Sequence, residues 1–98
     1  LIKRELASII TKEVSVSKAI ITLTRVEVSD DLLYAGIYFV SIPDKEAQNI
    51  LKIFRKNIFL LQQALNKRLH MRPVPKISFC IDRQEEEAAK IDELLGKI

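Results

Sequence analysis

Lys52, Arg55, Lys56, Lys67, Arg68, Arg72 and Lys76 fall in one stretch of the sequence, and between Glu46 and Asp82 no carboxylate interrupts them. Cations grouped without acids set up a positive field, and the chemistry such a field performs is contact with the phosphates of a polyanion. The acids collect elsewhere, notably at Glu85, Glu86, Glu87, Asp92 and Glu93. A net charge of +3 is only mildly basic, so the distribution carries the argument rather than the total.

Other chemistries find little to work with. His70 is the only histidine and Cys80 the only cysteine, so the sequence offers no zinc set and no internal disulfide. No Walker or dinucleotide loop can be written, and Gly36 and Gly96, the only glycines, cannot form a Gly-x-x-Gly clamp. A serine nucleophile paired with His70 would need a placement that no motif signals. The chain is therefore expected to be no enzyme and to carry no cofactor. Lys45, Lys90 and Lys97 read as ordinary solvated positions. Tyr34 and Tyr38 share a strand face and could stack on bases, but half-exposed strands use tyrosine routinely. The face on which Arg25 lies is open at this stage.

The elements that must place the cations can be read from periodicity. Leu1 to about Val14 carries an apolar stripe at helical spacing, through Ile2, Leu6, Ile9 and Ile10. The helical pattern is already running at Leu1, which suggests that the native chain starts earlier. From about Ala19 to Val28 the residues suit a strand, but Ile21 and Leu23 alternate on one face and Val26 and Val28 on the other. A bulge near Thr24 or Arg25 would reconcile them. Ser29-Asp30-Asp31 is a polar turn, and Leu33 to Ile42 is a second strand, antiparallel to the first.

Asp44 reads as the N-cap of a helix whose stripe runs through Ala47, Ile50, Leu51 and Phe54, then Ile58, Leu61, Leu65 and Leu69. A straight helix from Lys45 to Leu69 would be about 37 Å long, more than so small a domain needs, so a bend is expected. Lys67, Arg68, His70 and Arg72 then meet the negative end of the helix dipole. Pro73 and Pro75 forbid further helix, and Pro75 fixes the angle at which the chain enters a third strand, about Lys76 to Ile81. Asp82 reads as the cap of a last helix, with Ala88, Ile91, Leu94 and Leu95 as its stripe. Phe39, Phe54, Phe59 and Phe79 are core candidates. The order is helix, strand, strand, helix, bend, helix, strand, helix, an α+β domain over residues 1–98 with a three-stranded mixed sheet covered on one face by helices.

Lys67-Arg68-Leu69, Arg72, Val74-Pro75, Phe79, Asp82 and the closing Ile91-Asp92-Glu93-Leu94-Leu95 resemble the ribosome-binding factor A family. A second match is Thr24-Arg25-Val26-Glu27-Val28-Ser29-Asp30-Asp31-Leu32 running into Tyr34-Ala35-Gly36-Ile37-Tyr38-Phe39-Val40-Ser41. The resemblance covers nearly the whole chain. It implies a KH-like fold of the second type, with the first strand central and the third parallel to it. The family's bend is an Ala-x-Gly kink, and alignment places it at Asn57-Ile58-Phe59, where Phe59 replaces the glycine. Asn57, able to visit the left-handed region cheaply, would serve the bend instead. Asn66 also stands where the family usually has glycine.

The function implied is a non-enzymatic assembly factor that binds the immature small ribosomal subunit through its rRNA and assists late processing, with a role in cold adaptation. Lys67, Arg68, Arg72, Lys52, Arg55, Lys56, Arg25 and Lys76 are the candidate RNA contacts. A small protein-interaction module, docking through the acidic last helix, is the competing reading. No apolar run approaches the roughly 18 residues of a membrane span, and no signal peptide is evident. A monomer in the bacterial cytoplasm or an organellar matrix is expected.

Overall fold

The structure, a computed structural model, describes residues 2–14 and 19–83. Three helices and three strands follow in order: α1 (Ile2–Glu13), β1 (Ile20–Val28), β2 (Tyr34–Ile42), α2 (Ala47–Lys56), α3 (Ile58–Arg68) and β3 (Lys76–Ile81). The proposed last helix lies outside the described residues. This is the expected α+β arrangement, with a mixed sheet.

The strand order corrects one expectation. The sheet runs β1-β2-β3, so the second strand is central; β3 lies parallel to β2 and not beside β1. A short turn fixes β1 antiparallel to β2, whereas a parallel neighbour needs a long crossover, which α2 and α3 supply here. The β1 bulge is where its alternation breaks: Leu23 faces Phe39, Arg25 faces Tyr38, and Thr24 is the extra residue. The slip turns Val26 to the same side as Ile21 and Leu23, which lets both halves of the strand serve one core.

That core lies between the helices and one face of the sheet. From β2 it takes Ala35, Ile37 and Phe39, from α1 Leu6 and Ile9, from α2 Ile50 and Phe54, from α3 Leu61 and Leu65, and from β3 Ile77 and Phe79. Phe54 sits at the centre, edge-on to Phe39 at 5.1 Å and tilted against Phe79 at 4.4 Å. Aromatic pairs at such angles contribute about 0.5–1.5 kcal/mol beyond their buried area. Phe59, expected in the core, is instead 73% exposed. It stands one step off the stripe of Ile58, Leu61 and Leu65, and one helical step of about 100° carries a side chain out of a buried face.

The bend falls at Asn57, as expected, but not in the left-handed conformation. Asn57 has φ −102° and ψ 13°, and its Nδ2 donates to the Ile53 carbonyl at 2.8 Å. The Ile53 carbonyl also accepts the Asn57 N–H at 3.1 Å, so the carboxamide adds a second bond at the end of α2. Asp44 does not cap α2. It opens a single 3-10 turn, Asp44–Glu46, and no side chain caps either that turn or α2. Pro75 is fully buried at the entrance to β3.

Candidate nucleic-acid interface

The candidate cations divide between two sides of the fold. Lys52, Arg55 and Lys56 stand exposed on the last turns of α2, and Lys67 is exposed at the far end of α3. The length of α3 sets these groups about 16 Å apart along the helix axis. Lys76 and Arg25 belong to the sheet face opposite the helices, Lys76 beside Tyr34 and Arg25 beside Tyr38. The side chains of Lys52, Arg55, Lys56, Lys67 and Lys76 make no hydrogen bond or ion pair with another described residue.

The remaining arginines have work inside the fold. Arg68 lacks carboxylates nearby in sequence, yet the packing of α3 on α1 sets its guanidinium 3.5 Å from Glu5 and 3.1 Å from the Ser8 hydroxyl. The pair is about one-third exposed on each side, so water screens it and it contributes about 0–1 kcal/mol. Arg72 folds back over the end of α3. Its Nη1 donates to the Leu69 carbonyl at 2.9 Å and the Met71 carbonyl at 2.8 Å, while Nη2 reaches the Asn66 carbonyl at 3.3 Å. The Asn66 and Leu69 carbonyls lie at the negative end of α3, so the guanidinium serves there as a cap.

Arg25 is held most firmly. It pairs with Glu27, its Nε lies 3.7 Å from Asp82 Oδ2, and its guanidinium covers the Tyr38 ring at 3.9 Å. Asp82 also accepts from the Thr24 hydroxyl at 2.5 Å, joining the end of β3 to the bulge in β1. Any cap that Asp82 gives to the following segment lies outside the described residues. The Tyr38 hydroxyl donates to Glu27 Oε2 at 3.2 Å, and this carboxylate holds the phenol protonated above its ordinary range. Arg25 occupies one face of Tyr38, leaving Tyr34, 58% exposed, as the open ring on the sheet.

Sequence reasoning missed Gln62. Its Nε2 donates to the Pro75 carbonyl at 3.1 Å and to Asn66 Oδ1 at 3.1 Å, and its Oε1 accepts from the Ile77 N–H at 2.9 Å. Gln62 thereby positions α3, and the cations at its end, against β3. The available signal was its spacing, four residues after Ile58 and three before Leu65, on the inward stripe.

His70 is exposed just past α3. Among the described residues no group of three His, Cys, Asp or Glu could hold a metal ion. A groove of about 390 Å³ between α1 and β1 is lined by Ala7, Ile10, Thr11, Val14, Ala19, Ile21 and Leu23, none of which ionises. No described helix is long and apolar enough to cross a membrane.

Comparison with known proteins bears on this surface. The sequence model for ribosome-binding factor A matches residues 1–95. The chain belongs to the ribosome-binding factor A family. Ribosome-binding factor A of Azoarcus is 34% identical over 96 residues, covering 96% of this chain and 76% of the relative. That of Flavobacterium psychrophilum is 31% identical over 100 residues, covering 97% and 77%. The crystal structure of ribosome-binding factor A from Thermus thermophilus superposes with a TM-score of 0.69 at 24% identity, over 82% of this chain and 86% of that one. A homology model of the Thermus protein, fitted into a cryo-EM map of its complex with the 30S subunit, superposes at 0.70 with 25% identity, over 85% and 89%. The family's fold is thus present.

Proposed function

We propose that this chain is a non-enzymatic assembly factor that binds the immature small ribosomal subunit through rRNA phosphates and assists late maturation. The observation that carries the reading is the set of exposed cations on α2 and α3, Lys52, Arg55, Lys56 and Lys67, without an ion-pair partner among the described residues, in a chain of this family. The Thermus relative's complex with the 30S subunit supports the choice of partner. Lys76 extends the contact on the sheet side. Arg72, exposed while capping α3, can share a phosphate without leaving its carbonyls. Arg68 and Arg25 act more weakly, since each would give up an internal partner to reach RNA. Such contacts read the shape and charge of the RNA rather than its base sequence.

Co-sedimentation of the protein with isolated small subunits across a salt series tests the proposal. Binding should be tight at low salt and fall steeply as salt rises. Reversing Lys56 and Lys67 together to glutamate should weaken binding at every salt concentration and flatten the salt dependence. Unchanged binding in that variant would place the contact elsewhere, and absence of binding at low salt would remove the reading.

A further inference from the structure

Phe59 is the most exposed large apolar side chain among the described residues. Among the described residues the ring takes no part in the core, so its use lies outside that core. Its neighbours say what that use is. The helical ladder is interrupted at one residue: the Asn57 N–H closes α2 on the Ile53 carbonyl at 3.1 Å, and the Asn57 carbonyl opens α3 by accepting from the Leu61 N–H at 3.0 Å. Asn57 alone separates the two helices, so the last turn of α2 ends close to Phe59 in the first turn of α3. Arg55 and Lys56 close that turn, with Lys52 a turn earlier, and all three are exposed.

We propose that Phe59 is a stacking platform for one unpaired RNA base, whose flanking phosphates are held by Lys52, Arg55 and Lys56. This rests on the phosphate-binding reading above and adds a base contact to it. Every nucleobase has a flat face that stacks on a phenyl ring, so the contact tolerates any base, while cations alongside it follow the backbone. Charge decides between RNA and an apolar protein partner. Three cations without a described acid partner stand on the amino-terminal side of the ring, and a polyanion compensates them while covering it.

Fluorescence anisotropy of a labelled single-stranded RNA oligonucleotide at low salt tests the proposal, comparing Phe59→Tyr, Phe59→Leu and Phe59→Ala. Because Phe59 is exposed, all three variants should fold with the parent's thermal midpoint. Phe59→Tyr should bind within about twofold of the parent, while Phe59→Leu and Phe59→Ala should bind roughly tenfold more weakly. Leucine binding as well as phenylalanine, or an oligonucleotide that the parent does not bind, would overturn the proposal.

Co-sedimentation with small subunits separates the two readings. Lost binding on Lys52→Glu with Lys56→Glu, together with full binding by Phe59→Leu and Phe59→Ala, would leave phosphate contact standing and remove the stacked base. Binding lost in Phe59→Ala but kept in Phe59→Leu would mean an apolar protein partner, which also overturns the stacked base. Weakened subunit binding in both Phe59→Leu and Phe59→Ala, with Phe59→Tyr intact, is the result expected.

Discussion

The carboxamide of Gln62 meets the backbone of β3 on both sides of Lys76, accepting from the Ile77 N–H at 2.9 Å and donating to the Pro75 carbonyl at 3.1 Å. Lys76 turns its own N–H the other way, to the Leu33 carbonyl at 2.8 Å. One side chain thus makes the two bonds that a further strand would make along this edge. Replacing it with alanine orphans the half-buried pair, and a buried group left without its bond costs about 1–3 kcal/mol. Urea unfolding of Gln62→Ala should show that loss. A change below about 0.5 kcal/mol would mean that water takes over both bonds.

Phe54 and Phe59 make a controlled pair, five residues apart and opposite in fate. Phe54→Ala removes a ring packed between Phe39 and Phe79 and should cost about 3–5 kcal/mol in chemical denaturation. Phe59→Ala should stay within about 0.5 kcal/mol of the parent. Equal losses would show that Phe59 is packed in solution.

The hairpin turn predicts an acid titration. The Ser29 hydroxyl, with help from the Leu33 N–H, holds the Asp31 carboxyl below its ordinary range. A folded-state pKa below the unfolded one gives stability that is present above the unfolded value and lost as pH falls through the folded one. The effect therefore sits at the acid end of the aspartate range. An NMR titration of Asp31 should move upward in Ser29→Ala, and an unmoved midpoint would remove this assignment.

Tyr38 works in the opposite sense. Its phenol is held protonated by the bond to Glu27 and by that carboxylate's charge, so its contribution is present below the ordinary tyrosine value and lost as pH rises through the folded one. Phenolate absorbance in a Tyr34→Phe background should titrate lower once Glu27→Gln is added. No downward shift would show that Glu27 is not the cause.

Leu32 is the one described non-glycine residue in the left-handed region, at φ 63°. It is also 53% exposed, so little packing is lost on removing its side chain. Relief of the Cβ clash should outweigh the extra freedom glycine gives the unfolded chain, making Leu32→Gly more stable by about 0.5–1 kcal/mol. A lower thermal midpoint would mean that Leu32 packs on the turn.

Much of this was legible in the sequence where two residues close in the chain settled the matter. Ile21 and Leu23 out of phase with Val26 and Val28 announced the bulge, and the length of the apolar stripe announced a bend, which the family resemblance placed at Asn57. Which strand is central was not legible, because a hairpin offers two free edges and pairing with either leaves the sequence unchanged. Phe59 misled because hydrophobicity marks a core residue only when phase agrees. The setting of Arg68 was invisible for a different reason: Glu5 is 63 residues away, and only the packing of α1 on α3 brings it near. The cations of α2 lie off the stripe of Ala47, Ile50, Leu51 and Phe54 and are exposed, with nothing distant folded back on them among the described residues.

The parallel pairing of β3 with β2 also sets an order in time. The hairpin of β1 and β2 closes over a few residues, but β3 cannot reach its partner until the whole of α2 and α3 has been made and folded back. A chain emerging amino end first would hold Ala35, Ile37 and Phe39 facing water until Phe54 and then Phe79 arrive to cover them. The last described strand closes the core of the described residues, and a nascent chain stalled before Lys76 would present a sticky half-built sheet to its surroundings.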